Sequence, residues 1–178
     1  MKITKTKFEG LLLINGVKFL DSRGYFREII QNRIFPKKKF VFWCMSKSKK
    51  NVLRGLHLQK KNQQEKFISV VKGSILDVVV DLRKKSKTFG QHYKTILSER
   101  NSKSIYIPKG FAHGFLCLDS ENIIVYGNSN YRSKNNEIGL IWNDVNLSID
   151  WPKRKLIISK KDKKNLTFKE FIKKKIIL

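Results

Sequence analysis

At 178 residues the chain is long enough for one domain with a sizeable core, and no apolar run approaches a membrane-spanning helix. Its two cysteines, Cys44 and Cys117, lack CxxC spacing, which excludes a disulfide framework or a zinc-finger-type site. Lysine and arginine number 39 against 14 acidic residues, a formal charge of +25; the lysines are dispersed and far outnumber the arginines that phosphate and base readers favour. That pattern reads as a solvated basic surface, with neither nucleic acid nor membrane expected as a partner, and an anionic small substrate drawn in by the field fits it. Residues 1–7 lack the apolar stretch of a signal peptide, so a reduced cytoplasmic protein is expected.

Taken in order, residues 10–14 read as a strand, Asn15-Gly16 as a hairpin turn, and 17–20 as the returning strand. Asp21-Ser-Arg-Gly24 is a second turn, leading into a strand over 25–30. Pro36 and three lysines break the pattern before a strand over 40–45, and the whole is expected to form a meander. In Asn51-Val-Leu-Arg-Gly-Leu-His-Leu-Gln59, Arg54 and His57 would project onto opposite faces of an ideal strand. Gly55 between them permits a bend that turns both toward one cavity. Residues 66–72 and 74–82 flank Gly73 as a hairpin of β-branched strands. Further strands are expected over 92–97, 104–107, 112–118 and 123–128, with turn residues at 86–90, 108–110 and 119–122. So many short strands indicate an all-β antiparallel sandwich or barrel. Only the C-terminus reads as helical: Thr167 with Glu170 fits a capping box, and Phe168, Phe171 and Ile172 share an apolar face. One domain over 1–178 is expected, with a core over about 8–152 and a tail over 153–178.

Three histidines are present. His92 lies in a polar alternating strand and is given no role. His113 closes Pro108-Lys-Gly-Phe-Ala-His113, a P-x-G-x-x-H arrangement that resembles the second motif of the cupin superfamily, small double-stranded β-helix barrels. Metal-binding cupins also carry an H-x-H motif, which here is His57-Leu-Gln59. With its second histidine missing, only Glu65 and His113 remain as candidate ligands, and no metal is expected. The other use of a barrel histidine is acid–base work. A pKa of about 6.5 suits proton abstraction near neutrality, above all when a carboxylate orients the ring. A hydrogen-bonded core residue is the plainer reading of His57 taken alone.

Five motifs sharpen that choice: Leu53-Arg-Gly-Leu-His57, Gly73-Ser-Ile-Leu-Asp-Val-Val-Val-Asp-Leu-Arg83, Ser86-Lys-Thr-Phe-Gly90, Ile107-Pro-Lys-Gly-Phe-Ala-His-Gly-Phe115, and Ile141-Trp-Asn-Asp144 with Ile149-Asp-Trp-Pro152. In this order, across most of 8–162, they resemble the dTDP-4-dehydrorhamnose 3,5-epimerase family. The resemblance implies a metal-free cupin jelly roll with a short C-terminal helix, a homodimer, no cofactor, and a nucleotide-diphosphate-linked 4-keto-6-deoxy sugar as substrate, in deoxysugar synthesis for surface polysaccharide. It makes His57 the base, Asp162 its paired carboxylate, Lys66 the cation beside the developing C4 oxyanion and Tyr126 the acid of the opposite face. His113 would hydrogen-bond near the sugar, while Arg23, Arg54 and Glu137, with Phe26 and Glu28, would line the nucleotide and diphosphate region. Taken singly, Asp162 also fits a surface turn and Tyr126 an ordinary strand aromatic.

Two motif segments depart from the family pattern, and the helical stretch after the N-terminal strands is also shortened around Asn32–Lys39. The family's Q-D-N-x-S is Phe42-Trp-Cys-Met-Ser46 here, and its Y-K-x-T-x-Y-Y is Tyr126-Gly-Asn-Ser-Asn-Tyr131-Arg132; the acid–base set is intact and the recognition set altered. The alternatives are a single-centre epimerase acting at C3 or C5 of another nucleotide sugar, a non-catalytic cupin that binds an anionic glycan, and a metal cupin.

Overall fold

The structure, a computed structural model, describes residues 1–35, 39–152 and 154–176. Its strands are β1 (Lys2–Lys5), β2 (Leu12–Asn15), β3 (Lys18–Asp21), β4 (Gly24–Arg27), β5 (Phe42–Lys49), β6 (Val52–Gln59) and β7 (Lys66–Lys72). They continue as β8 (Ser74–Asp81), β9 (His92–Ser98), β10 (Lys103–Ile107), β11 (Phe111–Cys117), β12 (Glu121–Asn128), β13 (Glu137–Gly139) and β14 (Ile157–Ile158), and one helix, α1 (Phe168–Lys173), follows. Thr167 and Glu170 form the expected capping box on α1, each side chain accepting from the other residue's backbone N–H.

Two sheets face each other. One runs β1-β2-β10-β7-β12-β5; the other runs β13-β6-β11-β8-β9, with β14 added in parallel to β6. This is the all-β jelly roll the motifs imply. Phe8, Leu11, Ile68, Val79, Ile105, Phe111 and Phe115 fill the space between the sheets. A second layer, including Leu56, Val78, Val80, Leu147, Trp151 and Phe171, seals the outer face of the β6–β8 sheet beneath the C-terminal segment. Strand β8 is therefore buried on both faces, which is why its sequence is a continuous Val-Val-Val rather than an alternation.

Two expected hairpins are not formed. β2 pairs with β1 and β10, not with β3, because Gly16 has no left-handed φ to make the tight turn and instead gives its N–H to the Ser102 carbonyl at 3.1 Å. β3 pairs with β4 across the Asp21–Gly24 turn, which was expected. β7 and β8 part at Gly73 into different sheets; with a φ of +76°, Gly73 turns the chain where a Cβ would lie 2.3 Å from the Glu121 carbonyl. The break expected at Pro36 lies at 36–38, outside the described residues. Asp81, fully buried, gathers the Arg83 guanidinium and the Ser86 and Thr88 hydroxyls at 2.6–2.9 Å, so the Ser86–Gly90 motif closes a loop and does not reach the cavity. Among the described residues no helix is long and apolar enough to cross a membrane.

Candidate active site

Strand β6 decides the site's geometry. Val52 and Arg54 face the space between the sheets and Leu53 the outer layer, as strand alternation requires. Leu56 and Leu58 then point outward and His57 inward, so Gly55 is one inserted residue that resets the alternation. The register records it: His113 pairs with His57 and Phe115 with Arg54, two steps on β11 against three on β6. Only glycine fits, because φ at Gly55 is +117° and a Cβ there would lie 2.5 Å from the Cα of Gly114. The bulge is what brings Arg54 and His57 to one cavity.

The C-terminal tail completes the arrangement. β14 lies along Val52 and Leu53, and the 3-10 turn Asp162–Lys164 that follows sets Asp162 against the bulge. Asp162 Oδ2 accepts from the Gly55 N–H at 3.4 Å and Oδ1 meets His57 Nε2 at 2.6 Å. Burial alone would raise the Asp162 pKa, but the hydrogen bond and charge of His57 outweigh it and hold the carboxyl below its ordinary value. An ionised carboxylate only accepts, so Nε2 carries the proton and Nδ1 is left as the basic nitrogen.

Between the sheets this wall borders a cavity of about 610 Å³. From the opposite sheet come Lys66 on β7, Tyr126 on β12, and Phe42, Cys44 and Ser46 on β5. Burial draws the Lys66 pKa below the usual lysine value and pushes the Tyr126 phenol well above its own. The Tyr126 hydroxyl lies 2.8 Å from Ser46 Oγ. His113 also lines the cavity, with Nε2 2.7 Å from the buried Asp77 carboxylate. At the rim Glu137 holds two cations: Arg132 Nε donates to Oε2 at 2.9 Å, and Lys161 Nζ to Oε1. Against the raising effect of burial these two partners hold Glu137 at a pKa of about 2.

The structure thus gathers seven of the ten expected residues: His57, Lys66, Tyr126, Asp162, Arg54, His113 and Glu137. Arg23, Phe26 and Glu28 do not join them. Arg23 is exposed and bound to Asp21 at 2.6 Å, Phe26 is 66% exposed on the β3–β4 hairpin, and Glu28 accepts from Gln31 Nε2. Sequence reasoning missed Ser46, Asp77, Arg132 and Lys161. Lys161 stands next to Asp162 and was within reach; Asp77 enters only through the pairing of β8 with β11, which sets it beside His113. Neither histidine is gathered for metal binding: each faces one carboxylate, and among the described residues no three His, Cys, Asp or Glu side chains are grouped to hold a metal ion.

The model of the dTDP-4-dehydrorhamnose 3,5-epimerase family matches residues 5–170. The chain belongs to that family. It is therefore an isomerase of the carbohydrate-epimerase class. A relative from Methanothermobacter thermautotrophicus bearing the family's name is 40% identical over 169 residues, 91% of each chain. The crystal structure of a dTDP-6-deoxy-D-glucose-3,5-epimerase from Legionella pneumophila, in complex with dTDP-4-keto-L-rhamnose, superposes with a TM-score of 0.94 at 35% identity, covering 99% of this chain and 97% of that one. A 3'-monoepimerase from Streptomyces bikiniensis, in complex with dTDP-quinovose, has a TM-score of 0.91 at 26% identity over 97% and 90%.

Within this epimerase family the two departing segments read differently in three dimensions. Of the five residues 42–46, only Phe42, Cys44 and Ser46 line the cavity, while Trp43 and Met45 face outward and are exposed. Ser46 matches the family's serine and Met45 its free position, so of the three departures only Phe42 and Cys44 change the wall. Arg132, at the end of the second segment, has become a rim cation oriented by Glu137. A depressed Glu137 pKa means stability that is present above the unfolded carboxyl value and lost as pH falls toward the folded one. Glu137→Gln should therefore be less stable than the parent in urea melts at pH 6–7, and the gap should close between about pH 4.5 and 2.

Proposed function

We propose that this chain epimerises a dTDP-linked 4-keto-6-deoxy sugar at C3 and C5 without a cofactor. The observation that carries the reading is His57 on one sheet, backed by Asp162 from the C-terminal tail, and Tyr126 on the other sheet, across a single cavity. The C4 ketone acidifies the protons on its neighbouring carbons. His57 Nδ1 takes such a proton from one face, the Lys66 ammonium meets the enolate oxygen that forms, and Tyr126 delivers a proton to the other face. Asp162 keeps the ring in the productive tautomer and stabilises the imidazolium. Arg54, Arg132 and Lys161 supply cations for the diphosphate, and His113, fixed by Asp77, hydrogen-bonds near the sugar. Deoxysugar synthesis for surface polysaccharide, in the cytoplasm, is the setting that fits.

Arg23, Phe26 and Glu28 sit off their own chain's cavity, so a role for them in binding requires a second copy. The β3–β4 hairpin that carries the first two exposes Phe19, Leu20, Tyr25 and Phe26 at 45–80%. A homodimer covers that surface, and sedimentation at twice the chain mass is the expected measurement.

The deciding assay is deuterium incorporation from solvent into a panel of nucleotide-linked 4-keto-6-deoxy sugars. Exchange at both C3 and C5 of the dTDP sugar is expected, and none with any member of the panel would overturn the reading. Exchange at one carbon alone would identify a single-centre enzyme. That second reading is favoured by the altered wall at Phe42 and Cys44 and by the likeness to a monoepimerase.

A further inference from the structure

The acid side of the cavity holds a contact that the His57, Lys66 and Tyr126 chemistry leaves unused. In the β5–β12 register Cys44 pairs with Tyr126 and Ser46 with Ile124, so Ser46 sits one diagonal step from the tyrosine along the sheet. The phenol ring leans along β5, and its hydroxyl ends 2.8 Å from Ser46 Oγ. Among the described residues, that is the hydrogen bond of the Tyr126 hydroxyl. Ser46 itself is half-buried, lines the same cavity and stands on the strand at the edge of its sheet.

We propose that Ser46 is a positioning residue for Tyr126: it orients the phenol and returns its proton from solvent after each inversion. The inference rests on the epimerase reading. A hydroxyl pair has two states. When Tyr126 donates to Ser46, its proton points away from the substrate; when Ser46 donates to Tyr126, the phenol proton is free to move to carbon. Delivery then breaks the Tyr126 O–H bond and forms a C–H bond at the enolate carbon, leaving a phenolate that accepts from Ser46. Burial makes that phenolate costly, and the Ser46 hydrogen bond and the Arg54 charge both act against the cost. The reset passes the Ser46 proton to the phenolate oxygen, and Ser46 takes one from water. The imidazolium of His57 releases the proton it abstracted, so the cycle consumes none.

This division of labour separates two observables. In D2O, His57 alone can remove a proton and return a deuteron to the same face, giving exchange with retention; inversion also needs Tyr126. The full chain, Ser46→Ala and Ser46→Thr would be assayed in D2O with the dTDP-4-keto-6-deoxy sugar, following exchange and inversion separately by NMR. In Ser46→Ala, inversion should fall by about 10- to 100-fold, less than the roughly 10²–10⁴-fold that losing the acid itself would cost. Exchange with retention should fall by less than about threefold, and KM should stay within about twofold. Ser46→Thr, which keeps the hydroxyl, should recover most of the inversion rate. Inversion in Ser46→Ala within about twofold of the parent, or exchange and inversion falling in parallel, overturns the proposal. A parent chain that exchanges nothing overturns the epimerase reading and this inference with it, so the two failures are told apart.

Discussion

His57→Ala should lose exchange and inversion together, with kcat down by about 10³-fold or more and KM nearly unchanged. The size follows from what is removed. General-base catalysis is worth about 10²–10⁴-fold when the base is held at its proton and matched to neutral pH. Here the ring is held by a 2.6 Å contact to Asp162, and Asp162 is anchored in turn by the Gly55 N–H and the Ser159 hydroxyl. The Asp77–His113 pair does not substitute, because the His113 side chain, on the neighbouring strand, is only 5% exposed against 28% for His57. Initial rates by a coupled reductase assay, with deuterium exchange by NMR, are the measurement. A variant retaining more than about a tenth of the parent rate would place the base elsewhere.

The second large effect belongs to Lys66. Lys66→Met keeps the length and bulk of the side chain and removes its charge, and kcat should fall by about 10²–10³-fold, the scale of losing one preorganised oxyanion partner in an enclosed site. A pH signature accompanies it. The ammonium must stay protonated to meet the enolate, and burial has lowered its pKa, so in the parent activity should decline with rising pH before the ordinary lysine range near 10.4. Lys66→Met should lack that alkaline limb. An unchanged alkaline limb in the variant would show that the titrating group is another one.

Much of this was legible from the chain alone because its signals are local. Thr167 and Glu170 specify a helix start through side chains three residues apart, and the capping box forms. Asp21-Ser-Arg-Gly24 specifies a turn, with Asp21 accepting from the Arg23 N–H and Gly24 at a φ of +132°. The two failed hairpins mark the limit. Asn15-Gly16 and Gly73 both read as tight turns between adjacent strands, yet each strand found its partners elsewhere, since the pairing of β2 with β10 and the division of β7 and β8 between sheets are set by burial across the whole core. β13 and β14 are too short to show periodicity and exist only because they lie along β6.

The candidate site divides in the same way. The residues proposed for acid–base work and the need for a glycine between Arg54 and His57 are written in the sequence, since side-chain chemistry and backbone freedom belong to single residues. Which groups meet is not. Asp162 reaches His57 over 105 positions and Tyr126 reaches Ser46 over 80; Arg132 and Lys161 share Glu137 at the rim, and Arg23 and Phe26 stand away from their own cavity. Those outcomes depend on strand register and on the path of the tail across β6, long-range choices made by packing two sheets and an outer layer at once.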